Sequence, residues 1–550
     1  MLFRFISRKL RYFSRTLRYK KDDTSDCLEK DEMTYSSTED TSNEKKEEKL
    51  VKNLEDNVKK MQAALAESND TKVRYFRYGQ KKTLKGALIY IDGMVNTTIV
   101  YDAILGSLKD CKISEEELKK ENLMDIIDKE VLCAIEVKHE NTVNKLIEGC
   151  LNGDTVLLTE GCACGLVLDS KGYDKRGVFE PKSETVVRGP REGYTEDLRT
   201  NTTLIRRKIR NGNLKIEHTI IGRKTRTNVS IIYLEGVANP KVVNTVRQRI
   251  DRLDVESILE TGYIEEYIED APFSPFATIS YSEKPDVTAA KILEGRVAIV
   301  VDGTPFVLTV PMLLIESFQT AEDYYVRPLY ASLVRILRYI AYAITVFAPA
   351  IFVALTSFHS ELIPTTLLFS IAQSREGTPF PVFLEALLLV FAFELLQEAG
   401  VRLPKPVGQA ISIVGAIIMG EAAVSAGIVG APMVIVIAVT AVAGFIVPNQ
   451  NDSLSIIRLV ALMLAAIIGL YGILLCFLGL LIHLASLTSF GQPYFDSFGY
   501  AQDAQDTVVR MPLWTMEKRP DGIAVGDTTR IKKFVPPLET DMANKDGGDN

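Results

Sequence analysis

The sequence predicts a soluble α/β region made of two related α/β subdomains, followed by an α-helical multi-pass transmembrane domain. Three observations carry this. Nearly all the charge lies before about Tyr330, the stretch Tyr330 to Leu487 is dominated by Ala, Ile, Leu, Val and Gly, and strand-turn phrases of the first part recur in the same order. A chain of 550 residues with formal net charge -7, 25% charged and 47% hydrophobic, is therefore two materials joined end to end. Neither shows the concentrated basic charge of a nucleic-acid binder, so no nucleic-acid partner is expected.

Residues 1–21, MLFRFISRKLRYFSRTLRYKK, place Leu2, Ile6, Leu10, Phe13 and Leu17 on one helical face and Arg4, Arg8, Arg11, Arg15 and Arg18 off it. The pattern suits a helix lying on an anionic membrane, and equally a frayed basic tail. It lacks the unbroken apolar run of about 7–15 residues that a secretory signal needs, so export is not expected. Residues 22–70 begin as an acidic, flexible linker with almost no large apolar residue. Leu50, Leu54, Val58, Met61 and Leu65 then recur at helical spacing, marking an amphipathic helix that packs on the domain behind it.

Residues 71–185 and 186–330 form the two subdomains. IYIDG at Ile89 to Gly93 recurs as IYLEG at Ile232 to Gly236, each a strand ending in an acid and Gly. LIEG at Leu146 to Gly149 recurs as ILEG at Ile292 to Gly295, each followed by a strand, TVLLTEG and VAIVVDG. Order and offset match, which points to duplication. Neither half has a G-x-x-x-x-G-K-S/T or G-x-G-x-x-G loop, and there is no G-x-S-x-G or H-E-x-x-H. With His139, His218, His359 and His483 the only histidines, no His-centred catalytic cluster emerges and no enzyme is expected.

Seven cysteines, Cys27, Cys111, Cys133, Cys150, Cys162, Cys164 and Cys476, read as reduced thiols. The lone C-A-C at Cys162 and Cys164 lacks the four soft ligands of a structural zinc site, so no metal and no cofactor are expected. The connector inside 186–330 carries Arg188, Arg191, Arg206 and Arg207 among interleaved acids. It suits a solvated face laced with ion pairs, or an interface for carboxylates, phosphates or lipid headgroups.

Residues 331–488 form the membrane domain, since a span needs about 20 mostly apolar residues. Ile336 to Phe358, Val382 to Leu396, Val407 to Val429 and Ala431 to Val447 come close, and Ile456 to Leu487 is long enough to break, which gives four to six spans. Leu362 to Gln373 is too short and reads as a re-entrant or interfacial piece buried against protein. Arg335, Arg338, Arg402 and Lys405 put both their flanks inside. Five crossings would leave the basic tail, residues 489–550, outside. A crossing hidden in a broken fifth segment, or one stretch that does not cross, returns it.

Gly408, Ser412, Ala416 and Gly420 recur every four residues, a face for close helix packing. Glu421 and Glu394 lie within spans, where an ionised group must face protein or water, so both are ion-path or gating candidates. Glu394 also has the option of pairing with Arg402 or backbone near its helix end. Glu385 and Glu398 sit near the edges, within reach of headgroups.

The phrases VVRGPREGYTEDLRTNTTLIRRKIR, DAPFSPFATISYSEKPD, LEGRVAIVVDGTPFVLTVP, EDYYVRPLYASLVRILR, SIAQSREGTPFP and EAGVRLPKP resemble the GerA family of spore germination receptor A subunits. Part of the pattern is also similar to stage V sporulation protein AF. The likeness runs from about Gly86 to Pro512. It implies a non-enzymatic subunit of a nutrient germinant receptor in the spore inner membrane, with its N-terminal domain on the cytoplasmic or core side. It further implies a transporter-like B subunit and a lipoprotein C subunit as partners. A ring of A subunits acting as a nutrient-gated ion channel completes the expectation, with the B subunit as nutrient binder. A secondary transporter or a non-conducting scaffold are the alternatives.

Overall fold

Two antiparallel sheets, one in each half of the region before Tyr330, are the frame of the computed structural model. The chain divides into two units, Met1–Glu48 and Lys49–Asn550, and the following concerns the second. The structure describes residues 48–79, 82–111, 123–132, 136–172, 181, 184, 186–402, 420–447, 451–495, 506–520 and 522–531. The basic segment 1–21, most of the acidic linker, and Gly408, Ser412 and Ala416 lie outside them.

Helix α1 (Leu54–Ala64) leads into β1 (Thr71–Tyr78) and β2 (Leu84–Ile91), then β3 (Val137–Glu140), α2 (Val143–Asn152), β4 (Thr155–Thr159) and β5 (Gly165–Leu168). The second subdomain starts with α3 (Leu198–Lys208) and runs through β6 (Leu214–Ile221), β7 (Thr227–Leu234), α4 (Pro240–Asp251) and α5 (Thr261–Ile268). It continues with β8 (Ser280–Ser282), α6 (Pro285–Leu293), β9 (Val297–Val301) and β10 (Val307–Val310). The sheet orders β1-β2-β4-β5-β3 and β6-β7-β9-β10-β8 are the same order shifted by five strands. Every strand pair is antiparallel.

Because side chains alternate across a strand, each central strand feeds two cores. In β2, Ala87, Ile89 and Ile91 pack under α1 and α2, while Leu88 and Tyr90 face the opposite core. In β7, Val229, Ile231 and Tyr233 face one core and Ile232 and Leu234 the other. Leu50, Leu54, Val58, Met61 and Leu65 all lie under the first sheet. Gly93 and Gly236 close the turns after β2 and β7 at φ +83° and +82°, which is why the paired phrases end in Gly. The other paired glycine needs a correction. Gly149 lies inside α2 against Val167, and the counterpart of Gly295 (φ +103°) is Gly153 (φ +92°), the left-handed residue that ends α2.

The two subdomains are locked through the bend before β1. Asn69 N donates to Ile216 O at 3.0 Å and Ile216 N to Ser68 Oγ at 3.0 Å, joining the bend to edge strand β6. Helix α3 carries Arg206 into the same seam.

Helix α7 (Pro328–Ser357) begins the helical region, with Pro328 in its first turn, where the missing N–H costs nothing. It is followed by α8 (Thr365–Ser374), α9 (Val382–Arg402), α10 (Ala431–Gly444), α11 (Asn451–Ile468) and α12 (Leu470–Ser486). Among the described residues, α7 alone is both long and apolar enough to cross a membrane; 431–444, 453–468 and 470–486 are shorter apolar helices. Small residues bring the helices together, Ala350 and Ala354 of α7 meeting Ala461 and Ala465 of α11. The exposed Leu362, Leu367 and Phe369 correct the expectation that Leu362 to Gln373 is buried against protein, since in this chain only Ile371 of α8 is buried.

The long apolar segment from Ile456 breaks at Gly469, whose φ of +66° ends α11. Leu454, Leu484 and Leu487 share one cluster with Phe276, Met312 and Phe318 beside the α/β region, so α11 and α12 form a hairpin whose open end faces that region. A Cβ at Gly469 would lie 2.9 Å from His359 and 3.0 Å from Phe358. Gly469→Ala is expected to cost at least about 1–2 kcal/mol from the left-handed backbone alone, read as a lower thermal midpoint of the detergent-solubilised chain. Beyond α12 the tail returns to the second subdomain. Val525 N donates to Val237 O at 3.3 Å and Asp527 N to Gly236 O at 2.9 Å.

Helix α5 holds a carboxyl with an unusual proton affinity. Burial, with Glu269 and Glu260 nearby, pushes Glu265 up to about 7 from 4.5. The fold therefore holds the proton more tightly than the unfolded chain, and this contribution is complete below pH 4.5 and lost as pH rises through about 7. Glu265→Gln should stabilise the protein above pH 7 by on the order of 1–2 kcal/mol after allowance for solvent. Thermal melts at pH 4 and pH 8 check this, with the gain present only at the higher pH.

Candidate functional site

Three polar sites stand out. The first is a cleft of about 330 Å³ where the two subdomains meet. Gly93, Asn96, Thr97 and Gly172 form one wall, and Asp197, Arg199, Thr200, Thr203 and Arg207 on α3 form the other. Asp197 caps α3, accepting from Thr200 N and Oγ1 at 2.7 Å each. Arg199 reaches Asp92 across the cleft at 3.3 Å, and Arg207 pairs with Glu192 at 3.6 Å. A cavity of this size at a subdomain boundary, lined by hydroxyls, an amide, one carboxylate and two arginines, suits a small polar molecule.

Next is the junction of the α/β region with α7. Asp323 is 2% exposed and accepts from Arg335 Nε at 3.0 Å and Arg338 Nη1 at 2.7 Å. Arg335 also donates to Asp506 Oδ1 at 2.8 Å, and Tyr324 OH donates to Asp506 Oδ2 at 2.8 Å. Thus the segment after α12 and the start of α7 share one ionic network. Burial pushes the Asp323 carboxyl up, but the guanidiniums of Arg338 and Arg335 outweigh it and hold the group below its usual range. A parallel arrangement lies just before it. Burial raises Glu316, and Arg296 (2.8 Å) and Lys291 (2.9 Å) bring it below the ordinary carboxylate value.

The third site is the set of acids among the helices. Glu385 is fully buried, accepting from Arg375 at 3.1 Å, Thr378 Oγ1 at 3.3 Å and the backbone N of Gly430 at 3.1 Å. Its carboxylate thus caps the N-terminus of α10, where the helix dipole favours a negative charge. This corrects the headgroup expectation for Glu385. Glu394 accepts from Ser455 Oγ at 2.7 Å and is ion-paired with Arg458 of α11, while the side chain of Arg402 lies outside the described residues.

Of the other sequence candidates, Glu421 sits exposed on the helical turns that end at Gly427. Gly420 meets α10 closely, an added Cβ lying 3.2 Å from Val434. Arg188 is exposed, its backbone N 3.4 Å from Glu322, and Arg191 is exposed as well. Arg206 is a correction. At 1% exposure it offers no surface to another molecule, because its guanidinium is spent on Asp70 at 2.9 Å and Ser68 Oγ at 3.2 Å.

Sequence reasoning overlooked Asp323, Asp506, Arg375 and Arg458. For Arg458 a signal existed, since it is the one Lys or Arg between Ala431 and Leu487 and so the natural counter-charge for an acid among helices. The bridging of Asp323 and Asp506 by Arg335 across so long a stretch of chain leaves no local trace.

Residues 59–522 match the family described as Bacillus/Clostridium GerA spore germination protein. The chain is 40% identical over 500 residues to spore germination protein KA of Bacillus subtilis, covering 90% of this chain and 91% of that one. It is 38% identical over 471 residues to spore germination protein B1 of the same organism, covering 85% and 96%. The crystal structure of the N-terminal domain of the A subunit of the Bacillus megaterium spore germinant receptor GerK3 aligns at 33% identity, over 48% of this chain and 97% of that one, with a TM-score of 0.39. With the family match spanning both sheets and the helices behind them, the chain belongs to the GerA family of spore germination proteins.

Proposed function

We propose that this chain is the A subunit of a nutrient germinant receptor in the spore inner membrane, turning germinant sensing into ion release as an oligomeric nutrient-gated channel. It works with a transporter-like B subunit and a lipoprotein C subunit, carries no cofactor and is not an enzyme. Family membership supports the receptor reading, and one structural observation carries the transduction step. The buried network of Asp323, Arg335, Arg338 and Asp506 ties the α/β region to the first long helix, so a shift in one biases the packing of the other.

In this reading α7, α9, α10, α11 and α12 cross the bilayer together with the expected span Val407–Val429, of which residues 407–419 lie outside the described ones. An even count is supported by the hairpin at Gly469 and by the tail's return to the second subdomain. The α/β region and the tail then share the cytoplasmic or core side, in line with Arg335 and Arg338 at the start of α7. Exposed apolar side chains on the helices, among them Ile435, Ile467, Tyr471 and Ile482, suit lipid or neighbouring copies.

Reconstitution in planar bilayers, with and without partner subunits, separates the channel from its rivals. Gated current supports it, coupled flux marks a secondary transporter, and silence marks a scaffold. Glu421→Gln should alter ion release at normal receptor levels; unchanged release removes Glu421 from the path. A second reading, in which this chain itself binds a small polar nutrient, is favoured by the cleft at Asn96, Thr97 and Arg199. Thr203→Tyr, filling that cleft, should then abolish the response at normal receptor levels.

A further inference from the structure

Four helices each bring polar side chains to one point in an otherwise apolar bundle. Thr345 of α7, Gln397 of α9, Thr440 of α10, and Ser455 and Arg458 of α11 line a cavity of about 20 Å³. That is room for roughly one small polar guest. Arg458 is 4% exposed, and while its Nη2 holds Glu394, its Nε finds no acceptor. Arg458 therefore holds Glu394 through Nη2, a single contact that a shift of either helix can break.

Besides the Gln397 amide, the remaining polar groups are hydroxyl oxygens. The Thr345 and Thr440 hydroxyls give their protons to Ala341 O and Val436 O, each at 2.8 Å, leaving lone pairs free. Ser455 gives its proton to Glu394. Glu394 does not itself line the cavity, but its carboxylate meets Ser455 and Arg458 at the cavity's edge; without Arg458, that carboxylate and three hydroxyl oxygens would remain, a hard-ligand set suited to an alkali cation. With Arg458 in place, like charge keeps such a cation out.

We propose that Glu394 and Arg458 are a charge latch over a monovalent-cation site, closed while the guanidinium neutralises the carboxylate and open when α9 and α11 separate and Glu394 receives the ion. The proposal rests on the channel reading and names its gate. Because the two residues sit on different helices, one rigid-body displacement both breaks the pair and uncovers the carboxylate. The cation then occupies the charge position that Arg458 has left.

The test uses the full chain assembled with its partner subunits in proteoliposomes, with potassium and chloride as probe ions. Glu394→Gln combined with Arg458→Gln removes the latch without leaving a lone buried charge. It should raise resting potassium flux without nutrient by about tenfold, the factor that ~1.4 kcal/mol produces, with weaker preference for potassium over chloride. Swapping the charges, Glu394→Arg with Arg458→Glu, should restore the closed resting state. If either double variant fails to assemble, Arg458→Lys, a more strongly hydrated charge that holds Glu394 less well, should give a smaller resting leak. Resting flux at the unmodified level in every assembled variant, while the unmodified receptor conducts on addition of mixed L-amino acids and glucose, overturns the latch and leaves the channel standing. Absence of current in the unmodified receptor and all variants overturns the channel, and the latch with it.

Discussion

Asp323→Ala is expected to lower the stability of this protein by about 3–5 kcal/mol, the cost of removing one partner from a buried ionic network. Asp323 serves two guanidiniums at once, and Arg335 is wholly buried, so its loss strands positive charge where water cannot replace the carboxylate. Arg335 keeps Asp506, but Arg338 keeps only Phe318 O and Thr320 Oγ1, which are neutral acceptors. The chain has a single tryptophan, Trp514, four residues beyond Arg510, whose backbone N bonds Ser332 near the start of α7. Its emission during thermal unfolding in detergent is therefore a local reporter, and the variant should melt earlier. The pH dependence is a second check. A carboxyl held below its usual value stabilises the fold above its unfolded pKa of 3.8, and this is lost as pH falls through the lower folded value. The unmodified protein should lose that contribution only in acid below about pH 4, and Asp323→Ala should lack this component. Equal melting of the two proteins at neutral pH would show that the junction is held by apolar contacts instead.

Arg206→Ala carries the second large effect, again about 3–5 kcal/mol. Its guanidinium donates three hydrogen bonds of 2.9–3.0 Å to Asp70, a further one to Ser68 and one to Asn211 O. Truncation strands Asp70 in the seam between the subdomains and empties the space of one of the two largest fully buried side chains among the described residues, Arg335 being the other. Amide exchange should rise at Asn69 and Ile216, whose backbone bonds cross the seam, before it rises in the centres of β4 or β9. Replacing both partners, Arg206→Met with Asp70→Leu, should recover most of the loss, because a matched apolar pair leaves no charge unpaired. Failure of that double variant to recover would mean that the bidentate geometry itself sets the register between the halves.

Several features were legible in the sequence because they arise from local pattern. The helical spacing of Leu54, Val58 and Met61 and the apolar runs at 155–159 and 297–301 are such patterns, as is the Gly closing each strand-turn phrase. Each depends on period or on backbone conformation, both of which neighbouring residues dictate. Even there, identity of letters misled at Gly149, where a shared L-I-E-G-like phrase straddles a helix interior in one half and a helix end in the other.

Partners far apart in the chain were a different matter. Composition alone marks Glu394 as a charge within a span, but it reads Glu385 as reaching headgroups and Arg206 as a solvated or interface charge, and it cannot show that Arg458, Arg375 and Asp70 meet them. The sequence by itself determined that an apolar helical region follows two repeated sheets, and that any charge within it must be answered by another polar group. Only the tertiary structure decided which group answers, that the chain doubles back at Gly469, and that the tail rejoins the second subdomain. Hydrophobic burial is non-directional and readable from composition, whereas a buried ion pair is satisfied only by a partner at hydrogen-bond distance, and that distance exists only once the fold has formed.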